Sequence, residues 1–177
     1  LPLTLRLILI RHAKSSWSDP FADDHARVLN NRGQASATAI GTWMAQEGYI
    51  PDAVLCSDAE RTQETATLIL AALDPKPRLQ LSGRIYHAAP DTILDLIQKQ
   101  PEQTIAVIGH NPGIGMLANG LVQAAPDHRR FSDYPTCAST VIDFEVGRWI
   151  EVQPRTGHCK AFVVPRDLIG TASHDIE

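Results

Sequence analysis

The sequence predicts an α/β protein, a three-layer α/β/α sandwich around a mostly parallel central sheet. Three observations lead there. Short apolar, β-rich runs recur at 5–10, 53–56 and 105–109, and each ends at polar residues. Stretches with apolar residues at helical spacing separate these runs. The last third of the chain changes character, with strand-like segments at 140–145, 149–153 and 161–164 and turns at Gly147-Arg148 and Thr156-Gly157, as expected for one or two antiparallel strands added at the end.

Each element has its own reason. The run Leu5 to Ile10 stops at charged residues and reads as a strand buried on both faces. Arg6 and Arg11 interrupt the opening LPLTLRLILIRH and no small-residue cleavage site follows, so it reads as a core strand rather than a signal peptide. A polar loop, 11–31, comes next. From Arg32 to Gly48 the residues Ala37, Ile40, Trp43 and Met44 share one helical face, and Gly48 sits at a helix C-terminus. Ala53 to Cys56 is a second strand, and Ser57-Asp58 supply cap-type residues before a helix over 59–73 carrying Ala66, Ile69, Leu70 and Leu73. Pro75 and Pro77 punctuate the chain before a weak strand at 78–81, and Ile93, Leu94 and Ile97 mark another helix. Ile105 to Gly109 is followed by His110-Asn111-Pro112-Gly113 and a helix to about Val122, with Leu117, Leu121 and Val122 facing inward.

Composition narrows the function classes. A chain of 177 residues has room for one domain, 1–177, with a sizeable core. Sixteen Lys plus Arg against twenty Asp plus Glu give a net charge of −4, and no basic run exceeds Arg129-Arg130, which excludes a nucleic-acid footprint. The longest apolar stretches fall short of the roughly 18 to 20 residues a membrane span requires. Three cysteines, Cys56, Cys137 and Cys159, are an odd number without CxxC spacing, so the sequence suggests neither a disulfide framework nor a thiolate cage, and a reducing cytoplasm is the simplest home.

The chemistry collects after three strands: Arg11-His12 after the first, Ser57 to Arg61 after the second, Gly109-His110-Asn111 after the third. In open α/β sheets ligands bind outside the carboxyl ends of the strands, so these clusters can meet although they are far apart in sequence. Two arginines and two histidines make a carboxylate-poor pocket that attracts an anion, and guanidinium forks match phosphoryl oxygens. The same arginines would repel a divalent ion, so no metal and no other cofactor is expected. A histidine with one ring nitrogen fixed as a donor leaves the other free to attack phosphorus.

RHAKSSW at 11–17, SDAERTQET at 57–65 and GHNPG at 109–113 together resemble the histidine phosphatase superfamily, the phosphoglycerate mutase-like group whose hallmark is an Arg-His-Gly triplet. The resemblance spans nearly the whole chain. It is nearest to the short SixA-type phosphohistidine phosphatase branch, by length, by DHARVLNNRG at 24–33 and by the VVPRDL ending. It implies a phosphoglycerate mutase-like fold, His12 as nucleophile, Arg11 and Arg61 on the phosphoryl oxygens, and His110 completing the pocket. Ser18 matches a position where the mutase branch often has a phosphate-contacting Asn. Lys14, His87 and Asn111 are further candidates for substrate binding.

Two departures from the pattern matter. Ala13 replaces the Gly of the triplet, which suits an ordinary φ and not a positive one. RIYHAAP at 84–90, where relatives often carry an acidic proton donor, offers only His87. An alkoxide leaving group benefits from such a donor by roughly 10² to 10⁴ in rate, whereas imidazole departs from phosphorus more readily. The resemblance therefore implies a metal-independent phosphohydrolase acting on protein phosphohistidine. Alternatives are a phosphomonoesterase on small phosphate esters, with protonated His87 as donor, and a non-catalytic module that recognises phosphoproteins.

Each signal also has a plainer reading. RTQET can be a helix's first turn with Arg61 solvated, and in GHNPG His110 and Asn111 can simply cap a helix. Lys14 can pair with a nearby Asp, and Cys56 can be core packing beside Val54 and Leu55. His25 either orders the loop over the pocket or sits in water, and His128, His158 and His174 lie in polar segments.

Overall fold

In a computed structural model the structure describes residues 3–170, so His174 lies outside the described residues. Six strands form one sheet: β1 (Leu5–Arg11), β2 (Ala53–Ser57), β3 (Arg78–Ser82), β4 (Thr104–Gly109), β5 (Ser139–Phe144) and β6 (His158–Val163). They are arranged in the order β3-β2-β4-β1-β5-β6. β1 to β4 run parallel, β5 pairs antiparallel with β1, and β6 pairs antiparallel with β5.

Strand residues alternate between two apolar layers, as burial on both faces requires. Leu7, Leu9, Leu55, Ile105 and Val107 face one layer, and Ile8, Ile10, Val54, Cys56, Ala106 and Ile108 face the other. Helices α1 (Asn31–Glu47), α2 (Glu60–Leu70) and α5 (Pro165–Ile169) lie on the second layer; α3 (Pro90–Gln98) and α4 (Gly113–Leu121) lie on the first. α1 starts where the Asn30 side chain accepts the Gly33 N–H and ends at Gly48 with φ 75°. Among the described residues no helix is long and apolar enough to cross a membrane.

Two local expectations are corrected. Trp149 to Gln153 is not a strand; Trp149–Glu151 forms a 3₁₀ turn. Its buried residues are Trp149 and Val152, three apart, a helical spacing; the indole N–H donates to the Glu102 carbonyl at 2.6 Å and the ring packs edge-on to Phe144. Ser57 and Asp58 do not cap α2, because Ala59 is the N-cap. Ser57 is the last residue of β2 and fully buried, and its hydroxyl faces His110.

Candidate active site

β2, β4 and β1 are consecutive neighbours running in one direction, so the residues after their carboxyl ends share one crevice. The His12 N–H donates to the Gly109 carbonyl at 3.0 Å, which continues the β1–β4 ladder one residue further. His12 and His110 stand with ring centroids 5.3 Å apart, and Nη2 of Arg61 lies 3.4 Å from His110 Nδ1. The structure thus brings together the residues that follow three separate strands.

Backbone contacts fix the His12 ring. Nδ1 lies 2.7 Å from the Ala13 carbonyl, which can only accept, so Nδ1 carries the proton and Nε2 keeps its lone pair. The Ala13 N–H in turn donates to Thr65 Oγ1 at 3.0 Å, and that hydroxyl donates to the Arg61 carbonyl. Ala13 is not among the residues with positive φ, so alanine replaces the hallmark glycine without strain. Burial outweighs the Ala13 hydrogen bond and pushes the His12 imidazole down to about 3, and the charges of Arg11, Arg61 and Arg27 add to the fall. His12 is therefore a neutral imidazole at pH 7.

His110 is likewise buried and neutral, pushed down to about 2 by burial first and by His12 and Arg61 next. Its Nε2 lies 2.7 Å from Ser57 Oγ. A hydroxyl can donate or accept, so Ser57 lets His110 present Nδ1 as acceptor to Arg61 or as donor to an incoming oxyanion.

Arg61 is not the solvated first-turn residue of the plainer reading; it is 2% exposed. Nη1 donates to the Asp24 carbonyl at 2.6 Å and Nη2 to Asp24 Oδ2 at 3.0 Å, while Nε is buried with no hydrogen-bond partner. A buried guanidinium that keeps one N–H unpaired and sets Nη2 3.4 Å from His110 Nδ1 suits an anion. Arg11, the last residue of β1, donates from Nη1 to the Tyr134 carbonyl at 3.2 Å. Tyr134 holds that carbonyl at φ 51°, with its hydroxyl donating to Leu9 O and paired with Thr140.

The carboxylate-poor pocket expected from the three clusters gains one carboxylate from outside them, Asp24, which opens a 3₁₀ turn at Asp24–Ala26 and reaches in from the loop after β1. Oδ2 accepts from Arg61 and from the Tyr86 hydroxyl at 2.5 Å, and lies 3.3 Å from His87 Nε2; Oδ1 accepts from Arg27. The Tyr86 hydrogen bond, with those of Arg61 and Arg27, holds the carboxyl well below the usual carboxylate range, so it is ionised.

The other sequence candidates scatter. His87 stands at the rim: its side chain is 53% exposed, its ring stacks on Tyr86 at 4.1 Å, and Nε2 lies 3.4 Å from Arg61 Nη2. Asn111 does not present its amide to the pocket, because Oδ1 accepts the Gly115 N–H at the start of α4 and Nδ2 donates to the Asp133 and Tyr134 carbonyls. Ser18 is exposed and bonded to Ser16, and the small cavity it lines holds Asp19 and Arg27 but none of Arg11, His12, Arg61 and His110. Lys14 contributes its carbonyl, which accepts the Asn30 N–H. His25 ties the loop down through Asp58 at 2.8 Å, and Glu64 of RTQET accepts the Leu29 N–H. Cys56 is packing; burial pushes its thiol up to about 12.

Sequence reasoning missed Asp24, Arg27, Ser57, Thr65, Tyr86 and Tyr134 as individual site members. Ser57 and Thr65 lie inside SDAERTQET and Asp24 and Arg27 inside DHARVLNNRG, so the signal was the motif and not the residue.

The superfamily model for "histidine phosphatase superfamily (branch 1)" matches residues 7–85, the span that holds His12 and Arg61. An uncharacterized protein of Mycobacterium tuberculosis, Rv1276c, is 35% identical over 164 residues, covering 89% of this chain and 100% of the relative. The chain belongs to the histidine phosphatase superfamily. A chloroplastic uncharacterized protein of Arabidopsis thaliana is 42% identical over 122 residues, 63% of this chain and 56% of that protein. Among solved structures, a candidate phosphohistidine phosphatase SixA from Agrobacterium tumefaciens superposes with TM-score 0.75 at 26% identity, covering 93% of this chain and 99% of that one. A second SixA candidate, from Nakamurella multipartitia, gives 0.74 at 27% with the same coverage. This histidine phosphatase is therefore of the SixA-type branch, with a phosphoglycerate mutase-like fold.

Proposed function

We propose that this histidine phosphatase hydrolyses protein phosphohistidine through a phosphoryl group carried on His12. One observation carries the reading: a buried imidazole whose Nδ1 is tied to its own backbone and whose Nε2 stays unprotonated among Arg11, Arg61 and His110. Nε2 attacks phosphorus, the bond to the leaving group breaks with its electron pair leaving on that group, and Arg11, Arg61 and His110 hold the charge on the equatorial oxygens. Water then attacks the phosphoryl group, releasing phosphate and restoring His12.

The choice of substrate rests on proton supply. An alkoxide benefits from an acid, and Asp24, the carboxyl that the described residues bring to Arg61, is ionised. An imidazole leaving group has no such need. The exposed rim at His87 and Tyr86 also leaves room for a substrate carried on a protein surface. His87 favours a second reading, a phosphomonoesterase on small esters with this imidazole as the donor to the leaving group, since it stands 3.4 Å from Arg61 Nη2 at the rim.

Turnover of a phosphohistidine peptide and of p-nitrophenyl phosphate decides between them. A higher kcat/KM on the peptide supports the first reading, and equal values favour the second. Rapid acid-free quenching during turnover should trap an acid-labile phosphoryl group on His12; binding without turnover would point instead to a recognition module. Metal-independent chemistry predicts unchanged turnover in excess chelator.

A further inference from the structure

The carboxylate of Asp24 has no place in the steps just described, although it lies 3.0 Å from the guanidinium on which the phosphoryl group would rest. Its position is specific. Arg61 Nη1 and Nη2 grip its carbonyl and Oδ2, Tyr86 donates to Oδ2, and Arg27 Nε and Nη2 donate to Oδ1, so five donors on three residues fix it. Those contacts occupy the terminal nitrogens of Arg61 while Nε stays unpaired and buried. The Tyr86 and His87 rings, which both reach Asp24 Oδ2, lie 5.3 Å from the His110 ring, as does the His12 ring, so His110 is the shared neighbour of the nucleophile and of the group around Asp24. In-line transfer places the leaving group opposite the attacking nitrogen.

We infer that Asp24 is a specificity-determining residue, a fixed anion on the leaving-group side that selects phosphoryl donors whose leaving group carries an N–H, namely phosphoimidazoles. This rests on the phosphohistidine reading and deepens it. A phosphorylated imidazole protonated on its second nitrogen is a cationic ring, and that N–H donates to Asp24 Oδ2. As His12 Nε2 forms its bond to phosphorus, the P–N electron pair returns to the departing nitrogen. The product leaves as neutral imidazole, its proton still on the second nitrogen, with none taken from the protein. An alkoxide at the same place would face a carboxylate and be repelled. The residue that deprives the site of an acid thus favours the substrate that needs none.

The test compares Asp24→Asn and Asp24→Glu with the parent protein on a phosphohistidine peptide and on p-nitrophenyl phosphate. Loss of a hydrogen bond to a charged group predicts a fall in kcat on the peptide of roughly ten- to hundredfold for Asp24→Asn. The ratio of peptide to ester turnover should fall by the same factor in Asp24→Asn, while Asp24→Glu, which keeps the charge, retains part of the preference. Thermal unfolding establishes that each variant is folded. A parallel fall on both substrates in a folded variant would overturn the inference, because Asp24 would then only orient Arg61. So would no change on either, or equal losses in the Asn and Glu variants. The parent protein's own preference judges the broader reading separately: if it favours the ester, the phosphohistidine assignment falls first.

Discussion

At His12 the decisive contact is with the backbone, and it dictates what substitution and pH will do. His12→Ala removes the group that would carry phosphoryl, and kcat should fall on the order of 10³-fold or more with loss of the trapped intermediate. Because the imidazole is held near 3, kcat/KM should show no acid limb from this residue in the range where an ordinary histidine titrates; a limb between pH 5 and 8 that moves in Asp24→Asn belongs to the substrate ring. Stability follows the same shift. A folded value about 3, below the ordinary 6.5, means the unfolded chain takes up protons first as pH falls. Native stability is then complete above about 6.5 and declines as pH drops towards 3, and His110 adds to the slope. Urea unfolding at pH 7.5 and 4.5 should show a smaller difference for the His12→Asn/His110→Asn protein than for the parent. Ser57→Ala strips the hydroxyl from His110 Nε2, and kcat should fall roughly tenfold, about the cost of one lost hydrogen bond, with KM little changed.

Secondary elements set how tightly the crevice is assembled. A Cβ at Gly113, the first residue of α4, would lie 1.9 Å from the Ala88 carbonyl, and one at Gly33 would lie 2.1 Å from the Lys14 carbonyl. Glycine is thus needed where α4 meets the segment carrying Tyr86 and His87, and where α1 meets the loop after β1. Gly113→Ala should push the Ala88 segment outward and destabilise the fold by about 1 to 3 kcal/mol. It should also weaken inhibition by inorganic phosphate or tungstate, which calorimetry and ester kinetics would register. An unchanged melting temperature would show that the segment relaxes freely. At this scale the sequence was legible where periodicity ruled: β1, β2, β4 and the helices between them follow from buried runs and from Gly48. It failed at Trp149, where a single large ring and its hydrogen bond to Glu102 outweigh the strand-like composition around it.

Across the whole molecule, convergence was legible and coordination was not. Polar clusters after three strands can meet in one crevice, the sheet order supplies that crevice, and the rule together with the family resemblance named Arg11, His12, Arg61 and His110. Neither named Asp24. Its place depends on the path of the irregular loop between β1 and α1, which no periodicity describes, and on donors contributed by α2 and by Tyr86. Asn111 illustrates the converse: its neighbour suggested a ligand contact, yet the turn it occupies spends every donor and acceptor on holding the chain. Residue type and strand position therefore told which groups gather, while loop geometry decided which of them face inward.

That loop carries one more consequence. The guanidinium of Arg27 lies over the Trp17 ring, 3.7 Å from its centroid, while the same side chain holds Asp24; Trp17 itself is 76% exposed, Trp43 partly buried and Trp149 buried. An indole in solvent, stacked beneath a cation that is wired to the crevice, is a built-in optical gauge. Titrating tungstate while following tryptophan emission should reveal whether filling the crevice disturbs the stack, with Trp17→Phe as the blank that silences the signal.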